Sequence, residues 1–488
     1  MKAITLVSIL FLVGSLYACS GGDGGSSNGS SPSAATTERI VYLADQDIDD
    51  VFELYLVGSS IKLNPPLSQG KNVLDFRITP DKTAVVYRAD QDNNEVFELY
   101  RVEFANPGVS TKLNSPLPVG GDVWSAVITP DSSSVVYLAD QTTEGVLELY
   151  RVPFATPGVS TKLNAPLVPG GNVFFGIGIT PDNSAVVYVA TQDTANTMEL
   201  YRVPLATPGL STKLNGVLPA NTDINSFEIA PDSASVVYTD FQSAPPQALK
   251  MDLYRVPFNT PGQSTKLNVL LSSLQFIGEY DITPDSSSVV YTADSQTSDF
   301  RSLYRVPFAT PGQGTLLSHN HQVQSFIIRP DNSGVVFENK VLLLSESSAL
   351  YLVPFATPGV NTQLYGPLVS GGRRQGLSDP AFAITPDNTA VLYIDDETAK
   401  FAYELYRVSF STPGVRTKLN GPLVAGGSVD FGKINGITPD SSALLYRASQ
   451  TTAGVFELYR VPFTTPGVST KLNGPLTSGG DVTHFIVK

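Results

Sequence analysis

The residues able to do chemistry are few and scattered. Two of the three histidines stand as His319-Asn320-His321, a spacing that puts both imidazoles on one face of a strand, as a metal ion wants. The third, His484, is remote in sequence, so no metal site is expected and the pair is kept as part of a candidate binding surface. Arg373 and Arg374 form a basic pair in an acidic chain, able to grip a carboxylate or phosphate, with a solvated loop as the plainer reading. Trp124, Phe174 and Phe175 are aromatic residues that can stack on a sugar or a peptide, or simply pack. Residues 45–50 (DQDIDD) and 90–95 (DQDNNE) have the oxygen density of calcium loops but lack the glycine and bidentate glutamate of the EF-hand. A polar hairpin loop is the simpler account of both.

Several chemistries are disfavoured. Three histidines in no recognisable setting argue against a Ser-His-Asp hydrolase. Gly25-Ser26-Ser27-Asn28-Gly29 fits the G-x-S-x-G pattern, but a Gly/Ser linker supplies neither the strand nor the helix of a nucleophile elbow. There is no phosphate loop and no dinucleotide fingerprint, and no cofactor is expected. A net charge of −14 repels nucleic-acid phosphates. The single cysteine, Cys19, leaves the body of the chain without disulfides, thiolate ligands or a thiol nucleophile.

What must position these residues is a repeat. The sentence ITPDSSSVVYLADQTTEGVLELYRVPFATPGVSTKLN (128–164) recurs with copies starting at Ile78, Ile128, Ile179, Ile229, Ile282, Ile328, Ile384 and Ile437. Spacings of 46 to 56 residues with four strand signals per unit mark propeller blades. In the first full copy, strand a ends at Ile78, strand b is 84–90 with apolar residues alternating, strand c is 98–104 and strand d is 110–114. Thr-Pro-Asp-Ser makes the a–b turn and Ala-Thr-Pro-Gly the c–d turn. Residues 39–64 hold strands b, c and d without a; residues 482–487 read as strand a and nothing more. Pairing the two closes the ring and removes exposed sheet edges. The expectation is an all-β propeller over 39–488 with nine blades; an eight-bladed ring is the alternative. Two residues before each terminal Ile stand Phe76, Ala126, Ile177, Phe227, Tyr280, Phe326, Phe382, Asn435 and Phe485, a stripe suited to interleave between blades as core.

Two resemblances add to this. Residues 1–19 pair Lys2 with an apolar run from Ile4 to Leu16 and end in Leu16-Tyr17-Ala18-Cys19, which resembles the signal peptide and lipobox of bacterial lipoproteins. The resemblance implies lipidation at Cys19, a flexible Gly/Ser tether over 20–38, and, with Ser20 next, outer-membrane sorting; the apolar run is short for a spanning helix. The Ile-Thr-Pro-Asp-Ser-Ser-Ser-Val-Val-Tyr unit at 128–137 and 282–291, followed by Leu-Tyr-Arg-Val, resembles the TolB-type propeller repeat of bacterial periplasmic proteins. That likeness covers 39–488 and implies an envelope location and a protein-binding or scaffold role.

The a–b and c–d turns barely vary between copies, whereas the b–c and d–a loops do, most strongly at 241–250, 269–276, 318–324, 339–349 and 366–381. A specific surface belongs on the variable face. The expected function is therefore a lipid-tethered, monomeric, non-enzymatic propeller binding a protein, peptide or polysaccharide there. The alternative is a glycan hydrolase or lyase built on inner-strand carboxylates (Asp75, Glu228, Glu279, Asp281, Asp379), which needs two of them held at a defined distance.

Overall fold

The computed structural model describes residues 38–488 apart from 60, 175, 244–249, 269–275, 296–297, 320, 340–348, 366–381, 397–401 and 431–433. Cys19, Phe175, Arg373 and Arg374 lie outside the described residues, so their expected roles are not placed by it.

Every regular element among the described residues is a strand, and the strands form nine antiparallel sheets. Blade 1 is made of Ile40–Ala44, Glu53–Leu56, Ile61–Lys62 and the C-terminal strand Val482–Val487. Tyr42 pairs with Phe485 and Val41 with Ile486, and Arg39 and Lys488 exchange backbone hydrogen bonds of 2.8 and 2.9 Å. The ring is closed as the two chain ends require. Blades 2 to 8 each supply strands a, b, c and d in sequence order. In blade 9, the described residues of strand a pair through isolated bridges, Val429 to Ala448 and Ile437 to Leu444. Strand a of blade 4 is likewise short, Gly178–Ile179, in the glycine-rich run Gly176-Ile177-Gly178.

Strand b departs from the expected alternation. Ser134–Ala139 and Ala185–Ala190 are buried along their whole length, because each blade is covered on both faces by its neighbours. The interior strand tyrosines pair across b and c: Tyr42 with Tyr55, Tyr87 with Tyr100 and Tyr137 with Tyr150 stack at 5.3–5.6 Å. Each such pair adds about 0.5–1.5 kcal/mol beyond its buried area. The strand a stripe packs between blades as expected. Phe227 of blade 5 lies against Gly178 of blade 4, and Phe485 of blade 1 against Gly436 of blade 9.

Two repeated networks hold the ring. Within a blade, the buried acid of Glu-Leu-Tyr meets the lysine of Lys-Leu-Asn: Glu98 with Lys112, Glu148 with Lys162, Glu199 with Lys213 and Asp252 with Lys266, at 2.6–2.9 Å. The asparagine of the same motif accepts from the strand c backbone, as in Leu149 N to Asn164 Oδ1 at 2.8 Å. Between blades, the arginine of Leu-Tyr-Arg-Val lies over a phenylalanine of the next blade: Arg101 over Phe154, Arg255 over Phe308 and Arg305 over Phe355, at 4.2–4.9 Å. Blades 1 and 7 have Leu56 and Leu352 in that place, and Arg39 and Arg329 reach the waiting Phe104 and Phe410 instead.

Candidate binding face at the channel mouth

The a–b turns form a locked face. Their fourth residues, among them Lys82, Ser132, Asn183 and Ser441, adopt φ of 55–59°. Successive turns are tied together, Asp81 N to Ser132 Oγ at 2.9 Å and Asp387 N to Ser441 Oγ at 2.9 Å. Each turn aspartate accepts local hydrogen bonds; those from Thr438 and Ser442 hold Asp440 down at about 2. The opposite face joins d–a to b–c loops. Lys71 donates to the carbonyls of Gln91 and Asp92 at 3.0 Å, and Gly120 lies against Glu144.

Strand a lies innermost, since side chains of one strand a reach the backbone of the next: Arg77 Nε to Ala126 O at 3.1 Å and Lys488 Nζ to Ile78 O at 3.0 Å. Near its start it carries a β-bulge, at the same register in blade after blade. The extra residue is Thr483 in blade 1, Leu74 in blade 2, Trp124 in blade 3, Asn225 in blade 5 and Gln324 in blade 7. A bulge re-aims a side chain that the pleat would otherwise send between sheets. Trp124 is 45% exposed and Leu74 49% exposed, at the mouth of the central channel on the variable-loop face.

The Trp124 bulge is braced from the neighbouring blade. Arg88 donates to the carbonyls of Val123, at 3.0 Å, and of Trp124, while its other guanidinium nitrogens hold Asp75. Arg447 repeats this at the closing seam, joining Asp430 to Val482 O. Of the aromatic residues, Trp124 stands half-exposed on its bulge, and Phe174 is partly buried against the cluster of Val189 and Ile224 between blades 4 and 5.

The histidines do not act together. His319 and His321 both lie outside the strands, so the i, i+2 spacing does not align the rings. His319 is exposed against Gly359 of the next blade, whereas His321 packs on Tyr351 with ring centroids 4.2 Å apart and the rings tilted, and burial lowers its proton affinity. Asp45, Asp49 and Asp50 converge, with oxygens within 4.8 Å of one another. Asp45, however, commits its oxygens to backbone N–H groups of Asp481 and Asp50, at 2.5 and 3.1 Å. Asp90 and Asp140 cap their loops the same way, which makes this position part of the framework.

Of the inner-strand carboxylates, Glu228 and Asp281 meet. They hydrogen-bond across the seam of blades 5 and 6, and Glu228 also accepts from Ile282 N at 3.2–3.3 Å. Burial first, then the charge of Asp281, pushes the Glu228 carboxyl well above its ordinary range. Tyr280 beside them bonds Ser226 at 3.0 Å. Asp379 lies outside the described residues.

Sequence reasoning missed Leu74 and Arg88 as parts of the mouth, and named Asp75 only as an inner-strand carboxylate. The available signal was the doubled apolar pairs Val73-Leu74 and Val123-Trp124, which break the two-residue period.

No protein-family profile matches the chain, and comparison with curated proteins gives no significant match. Among solved structures it is similar to Porphyromonas gingivalis dipeptidyl peptidase 4, with 12% identity, a TM-score of 0.56, and coverage of 81% of this chain and 59% of that one. The chain thus spans about three-fifths of that peptidase. It is also similar to a eukaryotic initiation factor, with 10% identity, a TM-score of 0.53, and coverage of 93% and 98%. Oligogalacturonate lyase in complex with manganese matches at 18% identity over 81% of this chain and 98% of that one, with a TM-score of 0.42. At such identities the likeness is one of fold: this is a nine-bladed β-propeller.

Proposed function

We propose that the chain is a binding propeller of the bacterial envelope, lipid-tethered at Cys19, which engages its partner through the variable face. The lipobox resemblance of residues 1–19 and the TolB-type repeat support the location. One observation carries the binding reading. The acid–lysine pair of strands c and d is present in seven blades and replaced on both sides in two adjacent ones, by Ser302 and Leu316 in blade 6 and by Ala349 and Gln363 in blade 7. Those two blades are flanked by the most divergent loops, 269–276, 339–349 and 366–381. Relaxation of the framework and variation of the loops coincide on one arc of the ring.

The test exchanges 269–276 for the eight residues at 165–172, and 339–349 for the corresponding loop of blade 3, in the full chain. Envelope fractions passed over both proteins should yield a partner held only by the parent, with thermal unfolding unchanged. Equal capture by both would remove the variable face as the binding surface. Arg373→Ala with Arg374→Ala weakens the hold if that partner is anionic.

A second reading, a propeller enzyme acting on glycans, is favoured by the Glu228–Asp281 pair, since a carboxyl that burial and a neighbouring acid make hold its proton more tightly than usual is suited to act as a general acid. The pair touches, whereas hydrolytic carboxylates flanking a glycosidic bond stand about 5–9.5 Å apart. Release of reducing ends or unsaturated sugars by the parent and not by Glu228→Gln would establish this reading in place of the first.

A further inference from the structure

We propose that the a–b turn face at the seam of blades 1 and 2 docks on an anionic phospholipid surface, with Arg39, Arg77, Lys82 and Lys488 as its headgroup contacts. This rests on the chain being lipid-tethered at Cys19 and names the face that the tether turns to the membrane. The turns are tied in series, each aspartate N–H donating to the fourth residue of the next turn, as Asp182 N to Ser233 Oγ and Asp232 N to Ser286 Oγ, both at 3.0 Å. Blade 1 has no such turn, because its strands a and b come from opposite ends of the chain. Lys82 therefore has no preceding turn to bond, and it stands where the other turns place Ser or Asn. Lys488 falls where most blades have the threonine of Thr-Pro-Asp, and its Nζ reaches Ile78 O of blade 2. Arg77 is exposed with its Nε on Ala126 O, and Arg39 lies over Phe104, whose N–H bonds Thr83 O beside Lys82.

Among the described residues, none of these four cations forms an ion pair. Asp81 accepts from Thr79 and Thr83 and faces Arg101, which also holds Glu103. Glu38 is paired with Arg460 of blade 9. With Asp81, Glu103 and the carboxyl group of Lys488 set against Arg101 and the four, cations remain in excess. Elsewhere on this face the turn acid faces an arginine of its own blade, Asp131 with Arg151 and Asp182 with Arg202. On the opposite face, the b–c loops of the same two blades carry Asp47, Asp49, Asp50, Asp92 and Glu95, all exposed. An anionic surface thus attracts one end of this seam and repels the other. The tether leaves from the attracted end, since Arg39 exchanges backbone hydrogen bonds with Lys488 and residue 38 enters the ring at the patch. Residues 20–37 separate it from Cys19, and a Gly/Ser chain of that length spans about 20–25 Å. That reach gives the patch a high effective concentration at the bilayer, where each cation close to the surface adds to the hold. The acidic variable face is then directed away from the membrane, toward a partner.

Amine footprinting of the full acylated chain reads which face is docked. The protein is bound to vesicles of phosphatidylcholine alone or with one-third phosphatidylglycerol and acetylated briefly, and Lys82 is compared with Lys162 and Lys213, which lie toward the variable face beside the strand c acids. Acetylation of Lys82 should fall about fivefold or more on the phosphatidylglycerol vesicles, with Lys162 and Lys213 unchanged, and recover in about 1 M salt. The protection should also vanish in Arg77→Gln with Lys488→Gln, whose thermal unfolding should match the parent. Equal acetylation of Lys82 on both vesicles, protection of Lys162 and Lys213 in its place, or protection that survives the double substitution would each overturn the docking. Inorganic phosphate protecting Lys82 as well as the vesicles do would overturn it too, giving the patch to a soluble anion. Mass spectrometry of the Cys19 peptide tests the tether apart from the patch. An unmodified Cys19 ends the anchoring reading, and the same chain added to the vesicles still decides the docking by the Lys82 comparison. Acylated Cys19 with no protected face ends the docking alone.

Discussion

Arg88 of blade 2 donates to the backbone carbonyl of Trp124 in blade 3, so the backbone of the bulge is held by a residue from the sheet beside it. The same guanidinium is held by Asp75, and a matching pair, Arg447 with Asp430, serves the closing seam. Both arginines occupy the next-to-last place of strand b, where other blades carry Leu43, Leu138 or Val189. Bracing of the bulge is therefore local to particular seams, not a property of the repeat.

Removing that brace should loosen the Trp124 bulge without unfolding the ring. Arg88→Ala leaves two bulge carbonyls and the Asp75 carboxylate without their donor, a loss of about 1–2 kcal/mol. Trp124 emission should shift red and its quenching by iodide increase, with the global transition lowered by only a few degrees. Unchanged emission and quenching would show that the bulge holds itself.

Closure should matter far more. Deleting 482–488 removes strand a of blade 1, leaves the edge Ile40–Ala44 unpaired, and uncovers Tyr42 and Leu445. The truncated chain should self-associate or lose its cooperative transition, as measured by sedimentation and calorimetry. A stable truncated monomer with the parental transition would contradict the ring's dependence on its last strand.

The buried acid of strand c should be costly to lose. Glu148→Ala takes the carboxylate from Lys162, bonded to it at 2.8 Å, and leaves the Tyr150 hydroxyl, bonded to it at 3.0 Å, with Thr142 alone. Lys162 is partly solvated, which tempers the loss to about 1–3 kcal/mol by denaturant unfolding. The double variant Glu148→Ser with Lys162→Leu, which copies blade 6, should recover part of it.

The Glu228–Asp281 pair gives stability a pH dependence of known sign. A carboxyl whose proton is held more tightly in the folded state stabilises fully below its unfolded value, and this contribution is lost as pH rises through the folded value. Stability from this source therefore declines above the ordinary glutamate range. Glu228→Gln should unfold about 1–3 °C higher than the parent at pH 8 and show no such advantage at pH 4. An advantage that grows toward acid would reverse the assignment. The turn aspartates act oppositely: Asp440, held at about 2, contributes stability that is lost as pH falls from the ordinary aspartate range toward that value.

The sequence by itself determined the propeller and its closure, because a repeat that begins at strand b and ends at strand a has one economical way to pair its edges; the sheets decided for nine blades over eight. It also determined the turn chemistry, since Thr-Pro-Asp acts through atoms a few residues apart. The tertiary structure alone decided which face of strand a each residue takes. A one-residue bulge inverts the two-residue period locally, and that inversion is what left Trp124 half-exposed while Phe174 packs partly buried against the seam of blades 4 and 5. It also decided the meeting of Glu228 with Asp281 and of Arg88 with Trp124. These contacts cross between blades, joining residues 53 and 36 positions apart in the chain, and no local pattern encodes distances set by the packing of neighbouring sheets.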